Sequence, residues 1–125
     1  SFENGDASQR EGKWLAEIFR HAARIRDLLS EDFYVLLSGN APGETWCVYQ
    51  GDRPRMGTGL IMAFRRENSD LEQVTVCPQN LDLSAKYELE FHNGSCRTFS
   101  GKELSNWKIT LEKPRSFQLC YYTKI

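Results

Sequence analysis

Two hydrophobic periods divide the chain. From Ser8 to about Leu29 the apolar residues Trp14, Leu15, Ile18, Phe19, Ala22, Ile25, Leu28 and Leu29 recur every three to four positions, the spacing that lines one helix face. Arg10, Lys13, Glu17, Arg20, Arg24 and Asp27 fill the other side, so the helix is expected to lie on a surface with one stripe buried. Ser8 with Glu11 reads as a capping box that starts it, and the residues before Ser8 are expected to be disordered.

After Leu29 the period falls to two and stays there. It predicts strands near Phe33–Leu37, Trp46–Gln50, Gly59–Arg65, Leu71–Cys77, Lys86–His92, Cys96–Ser100, Lys108–Glu112 and Phe117–Thr123. Turn chemistry separates them at Gly39 to Gly43, Asp52-Arg53-Pro54, Asn68-Ser69-Asp70, Asn93-Gly94 and Lys113-Pro114-Arg115. Asn93-Gly94 is the sharpest break, because both residues tolerate positive φ, and it should join the fifth and sixth strands as a tight hairpin.

Alternation also assigns faces. Tyr87, Leu89 and Phe91 share one side of their strand, Ile109 and Leu111 one side of theirs, and Phe117, Leu119 and Tyr121 one side of the last. The run from Leu60 to Phe64 is apolar on both sides, as in a central strand that also receives the helix. The fold class is therefore all-β, an antiparallel two-sheet β-sandwich of about eight strands over residues 31–125, preceded by one N-terminal helix within residues 1–30. At 125 residues the chain is expected to build one core.

Charge narrows the partners. With 16 basic and 17 acidic residues spread along the chain and a formal net charge of -1, nothing argues for nucleic acid or an anionic membrane. No apolar run within it reaches the roughly 20 residues that span a bilayer, and no leader pattern is visible, while the compartment is left open. Cys47, Cys77, Cys96 and Cys120 form no CxxC pair and the two histidines are far apart, so no metal site and no cofactor are expected. The thiols read as reduced and structural, with two disulfides as the alternative.

Catalytic chemistry finds little support. His21, on the helix, and His92, beside the turn, lie in no partnered motif and read as solvent-exposed. Glu88 and Glu90 share a strand face as many solvated acids do, and Asp52 reads as a turn former. There is no phosphate-binding loop, dinucleotide fingerprint or HExxH, and the Asn93-Gly94-Ser95 sequon is already accounted for by the turn. Aromatic residues are the better hint, since an exposed ring on a sandwich can stack on a sugar. Trp46, Tyr49, Trp107 and Tyr122 are the candidates; Trp107 shares the parity of Ile109 and should be buried, and Tyr122, on the parity opposite Phe117, Leu119 and Tyr121, should be the more exposed ring.

The order of several segments carries a resemblance. Arg24-Ile25-Arg26, then DFYVL, TWCVYQ with the GDRP turn, and GTGLIMAFRR resemble the junction and C-terminal domain of melibiase-type α-galactosidases. Further on, LDLSAKYEL (Leu81 to Leu89) and SGKEL (Ser100 to Leu104) are similar to later segments of the same domain, so that the likeness runs from about Trp14 to Tyr122. Val35-Leu36-Leu37 stands where the family has a proline-containing strand, and the four cysteines are not part of its pattern.

The resemblance implies a non-catalytic accessory sandwich, with the helix as the last one of a catalytic (β/α)₈ barrel in the same polypeptide. That barrel would be the domain's partner, stabilised by it, and the domain would help to shape the approach of a branched or polymeric galactoside substrate. The barrel's two catalytic aspartates have no counterpart here, and a barrel needs roughly 200 residues or more. The chain by itself is thus not expected to be an enzyme. An independent carbohydrate-binding module using Trp46, Tyr49 or Tyr122 is the alternative.

Overall fold

The computed structural model describes residues 2–39, 45–67 and 69–125, with side chains from residue 12 onward. Helix α1 (Phe2–Leu28) comes first, followed by strands β1 (Asp32–Leu37), β2 (Trp46–Arg53), β3 (Thr58–Arg65), β4 (Gln73–Val76), β5 (Lys86–Phe91) and β6 (Cys96–Ser100). A short helix α2 (Gly101–Leu104), β7 (Trp107–Thr110) and β8 (Ser116–Lys124) complete the chain. A six-stranded sheet has the order β1-β2-β3-β8-β5-β6, and β4 pairs with β7 in a second sheet; every pairing is antiparallel. This is the expected helix followed by an eight-stranded two-sheet sandwich.

The large sheet is covered on both faces, so the single core expected from length is two. One face packs against β4 and β7 through Trp46, Val48, Ile61, Ala63, Leu89, Cys120 and Tyr122, with Val76, Trp107 and Ile109 opposite. The other carries Leu60, Phe117, Leu119 and Tyr121, and α1 lies on it with Trp14, Ile18, Ile25 and Leu28. Trp14 meets Phe64 and Phe117 edge-on, each at 5.4 Å between ring centroids. β3 receives the helix, as its apolar run implied, and β8 beside it does the same.

Several local expectations change. The helix begins at Phe2, so Ser8 lies inside it and the stretch before Ser8 is helical. β2 runs on through Asp52 to Arg53, and the chain turns only afterwards, where Arg53 O accepts the Met56 N–H (3.0 Å). The Asn93-Gly94 hairpin joins β5 to β6 as expected, but only Gly94 takes a positive φ (90°). Phe91 accepts from Gly94 N–H (2.9 Å) and donates to Ser95 O (2.9 Å), so residues 92–94 form a three-residue loop in place of the two-residue one. Ser100 and Glu103 make a reciprocal capping box that starts α2, a helix the strand pattern hid. The turn expected at Gly39 to Gly43 lies outside the described residues from position 40 onward, as does Asn68.

Neither histidine is solvent-exposed in the expected sense, because both sit between α1 and the sheet. The Tyr121 hydroxyl lies 2.6 Å from His21 Nδ1. His92 continues the β5–β8 ladder past its last strand pair: its N–H donates to Leu119 O (3.0 Å), and its Nδ1 accepts the Leu119 N–H (3.1 Å). The imidazole thus takes the place of a backbone carbonyl, which fixes the proton on Nε2, 3.5 Å from Glu17 of α1. Removing this acceptor leaves the amide of a fully buried residue without a partner. His92→Leu is expected to lower the unfolding free energy by about 1–3 kcal/mol, measured by urea denaturation. His92→Asn, whose side-chain oxygen falls near the position of Nδ1, should recover most of that loss.

Candidate functional site

The ring candidates separate into two environments. Trp46, Val48, Gln50 and Asp52 alternate along β2 onto the inter-sheet face, and there Trp46 is 0% exposed, its indole N–H donating to Leu71 O (2.9 Å). Tyr122, expected to be the exposed ring, is 1% exposed. The parity argument failed because β8 is central: its second face, assumed open, is the inter-sheet core. Trp107 is buried as its parity implied. Tyr49 alone of the three named sugar candidates keeps an accessible ring. It lies on the helix-side face, stacked with Phe33 at 5.9 Å, and Phe33 is 51% exposed.

Tyr122 belongs instead to a buried polar network that local pattern reading missed. Its hydroxyl donates to Asp52 Oδ1 (2.6 Å) and accepts from Gln50 Nε2 (2.9 Å). Asn80 donates to the other Asp52 oxygen (3.1 Å), while Gln50 also bonds Gln79 at both its backbone groups, 2.9 and 2.7 Å. The ring reaches Asp52 only because its β3 neighbour in register is Gly59, where a Cβ would overlap the phenol. One signal was legible: two polar residues fall on the buried parity of a strand that begins with Trp46. Asp52 is not the turn former it resembled.

Asp52 is also the strongest acid–base candidate on chemical grounds, and its setting argues for structure. Burial raises its carboxyl above the ordinary carboxylate value, helped by the negative charges of Asp32 and Glu31 and opposed by the bonds from Tyr122 and Asn80. Asp32 is its partner across β1 and β2, so two carboxylates do share one face. Asp52, however, is 3% exposed and commits both oxygens internally. On the surface, Lys124 and Ser84 hold Asp82 down at about 2. The four cysteines are free thiols, with Cys120 buried and Cys77 and Cys96 exposed. Among the described residues, no cluster of three or more His, Cys, Asp or Glu is placed to hold a metal, and no helix is long and apolar enough to cross a membrane.

No family model matches the chain, and no curated protein matches it. Solved structures do. The GH36 α-galactosidase AgaA from Geobacillus stearothermophilus matches in two crystal structures, one with raffinose and one with 1-deoxygalactonojirimycin. In both the TM-score is 0.61 at 16% identity, over 82% of this chain and 14% of that one. The fold is thus shared with one unit of a GH36 α-galactosidase, and the chain spans a small part of the length of the enzyme it matches.

Because the folded state holds the Asp52 proton more tightly than the unfolded chain, ionising Asp52 works against folding. Its penalty is absent below the ordinary carboxylate value of 3.8 and grows as pH rises from there to the raised value. Asp52→Asn removes it. The difference in unfolding free energy, wild type minus variant, is expected to fall across that window and level off above it, as read by urea denaturation at a series of pH values.

Proposed function

We propose that the chain is a non-catalytic accessory domain of an α-galactosidase-like glycoside hydrolase, packing against the catalytic (β/α)₈ barrel of the same polypeptide and stabilising it. The observation that carries this reading is the fold match, in which 82% of the chain superposes on a unit making up 14% of a GH36 enzyme. The motif order from Trp14 to Tyr122 supports it independently, since it reaches the same class without coordinates. The interior supports it too. A retaining glycosidase needs two carboxylates about 5 Å apart, with one free to attack the sugar. Asp52, the buried acid with a carboxylate neighbour, has neither oxygen free.

A second reading, a carbohydrate-binding module, is favoured by one feature, the Phe33–Tyr49 stack on an open face. The two readings differ in what sugar does to the isolated chain. Titration with raffinose, followed by amide and aromatic chemical shifts, is expected to leave Tyr49 and Phe33 unmoved if the domain is structural; saturable shifts there would favour the module. Within the full polypeptide, deletion of residues 31–125 is expected to lower the melting temperature of the glycosidase and its activity. Unchanged stability and activity after that deletion would overturn the accessory role.

A further inference from the structure

At the tip of the β5–β6 hairpin, Asn93, Gly94 and Ser95 bring together the groups of a reaction within the chain. Asn93 is exposed, and its Oδ1 accepts two hydrogen bonds from Ser95, one from the backbone N–H (3.0 Å) and one from Oγ (2.7 Å). Both donors lie on the oxygen that takes up negative charge when a nucleophile adds to the amide carbon, Cγ. Paired donors of this kind stabilise the tetrahedral intermediate of acyl transfer. The next amide along the chain, Gly94 N, is placed by its bonding to close a five-membered ring on Cγ. Gly94 has no side chain to hinder that closure, its φ of 90° is one that other residues rarely adopt, and a Cβ built on it would meet no atom within 4 Å. The tip is open to water.

We propose that Asn93 is a self-deamidation site, with Gly94 N as the nucleophile and the two Ser95 donors as the stabiliser of the oxyanion. Gly94 N gives up its bond to Phe91 O (2.9 Å) and adds to Cγ, forming a new N–C bond. The Cγ–Nδ2 bond then breaks, and the side-chain nitrogen leaves as ammonia, carrying the proton that Gly94 N has lost. Water, the one co-reactant, opens the cyclic imide. Addition at Cγ breaks its bond to Gly94 N and leaves aspartate, whereas addition at the main-chain carbonyl carbon leaves isoaspartate, with the chain running through the former side chain. Nothing is oxidised or reduced on either route.

The fold already holds an aspartate in this setting. Asp82 Oδ1 accepts from Ser84 N–H (3.0 Å) and Ser84 Oγ (2.7 Å), the same two bonds at the same distances. A carboxylate at position 93 would keep its Ser95 bonds in the same way, and His92 and Arg97 line the same shallow hollow as Asn93. Isoaspartate lengthens the main chain inside a loop that Phe91 fixes on both sides, its O accepting from Gly94 and its N–H donating to Ser95 O (2.9 Å). One product therefore makes an uncharged tip acidic, and the other loosens the ladder to β6. Asn4-Gly5 is the other Asn-Gly pair of the chain; it lies in α1 and is followed by Asp6, with no hydroxyl two residues on.

Storage of the full-length protein at mildly alkaline pH, sampled by peptide mass spectrometry with chromatographic separation of the two products, tests the assignment. Asn93 is expected to convert to aspartate and isoaspartate. Ser95→Ala is expected to slow the conversion about fivefold, the rate equivalent of one hydrogen bond lost from the transition state, and Ser95→Thr to restore it. Asn4 is the internal control, and its rate should respond to neither substitution. In urea, where the hairpin bonds are gone, wild type and Ser95→Ala should convert alike. An Asn93 that stays intact, or a difference between the two proteins that is absent in buffer or persists in urea, would overturn the proposal.

Discussion

The structure depends on two neighbouring strands, β3 and β8, that have no solvent face. Along β3, Leu60, Met62 and Phe64 point to the helix while Ile61 and Ala63 point to the small sheet. Along β8, Phe117, Leu119 and Tyr121 alternate with Cys120 and Tyr122 in the same way. A strand pair this apolar cannot sit in a half-solvated sandwich, since the uncovered row would be an extended hydrophobic surface. Helix α1 is therefore a third layer and not an appendage. Gly51 records how closely it lies, because a Cβ there would strike the backbone of Leu28.

Among the described residues, three buried polar side chains in these layers, Arg65, Gln50 and Asp52, bond to groups that place a loop. Arg65, 5% exposed, donates to Leu111 O (2.8 Å) at the end of β7 and to Ser69 O (2.9 Å) before β4, tying the small sheet to the large one. Gln50 holds the segment after β4 through Gln79, and Asp52 holds Asn80, which is in a left-handed conformation (φ 60°). Replacing either side of such a pair alone strands a buried donor or acceptor, so these residues specify loop position more than they add stability.

Much of this was legible in the sequence because strand alternation and helix periodicity are local properties. Parity placed Tyr87, Leu89, Trp107 and Ile109 inward, and the double-sided run at Leu60 to Phe64 identified a central strand that receives the helix. What parity cannot tell is how many faces of a strand are covered, and Tyr122 was misplaced for that reason. Asp52 beside Pro54 imitated a turn because turn propensity is read without the ladder, yet the ladder runs through it to Arg53. His92 was misread similarly: nothing local says that an imidazole will complete a backbone ladder 27 residues away. The open Phe33–Tyr49 stack was the least legible part, since which apolar rings the helix covers is decided by how it lies on the sheet.

Chain order gives the position of β8 a consequence for synthesis. The last of the eight strands to leave the ribosome is the one that pairs with both β3 and β5 and provides Phe117, Leu119 and Tyr121 as the landing surface for α1. Until it emerges, β1-β2-β3 and β5-β6 are two separate fragments, and the first-made helix has only part of a surface to settle on. Such long-range closure is slow and leaves apolar strand faces unprotected in the interval. A chain without Ser116–Lys124 therefore lacks both the strand that joins the two fragments and much of the surface on which α1 settles.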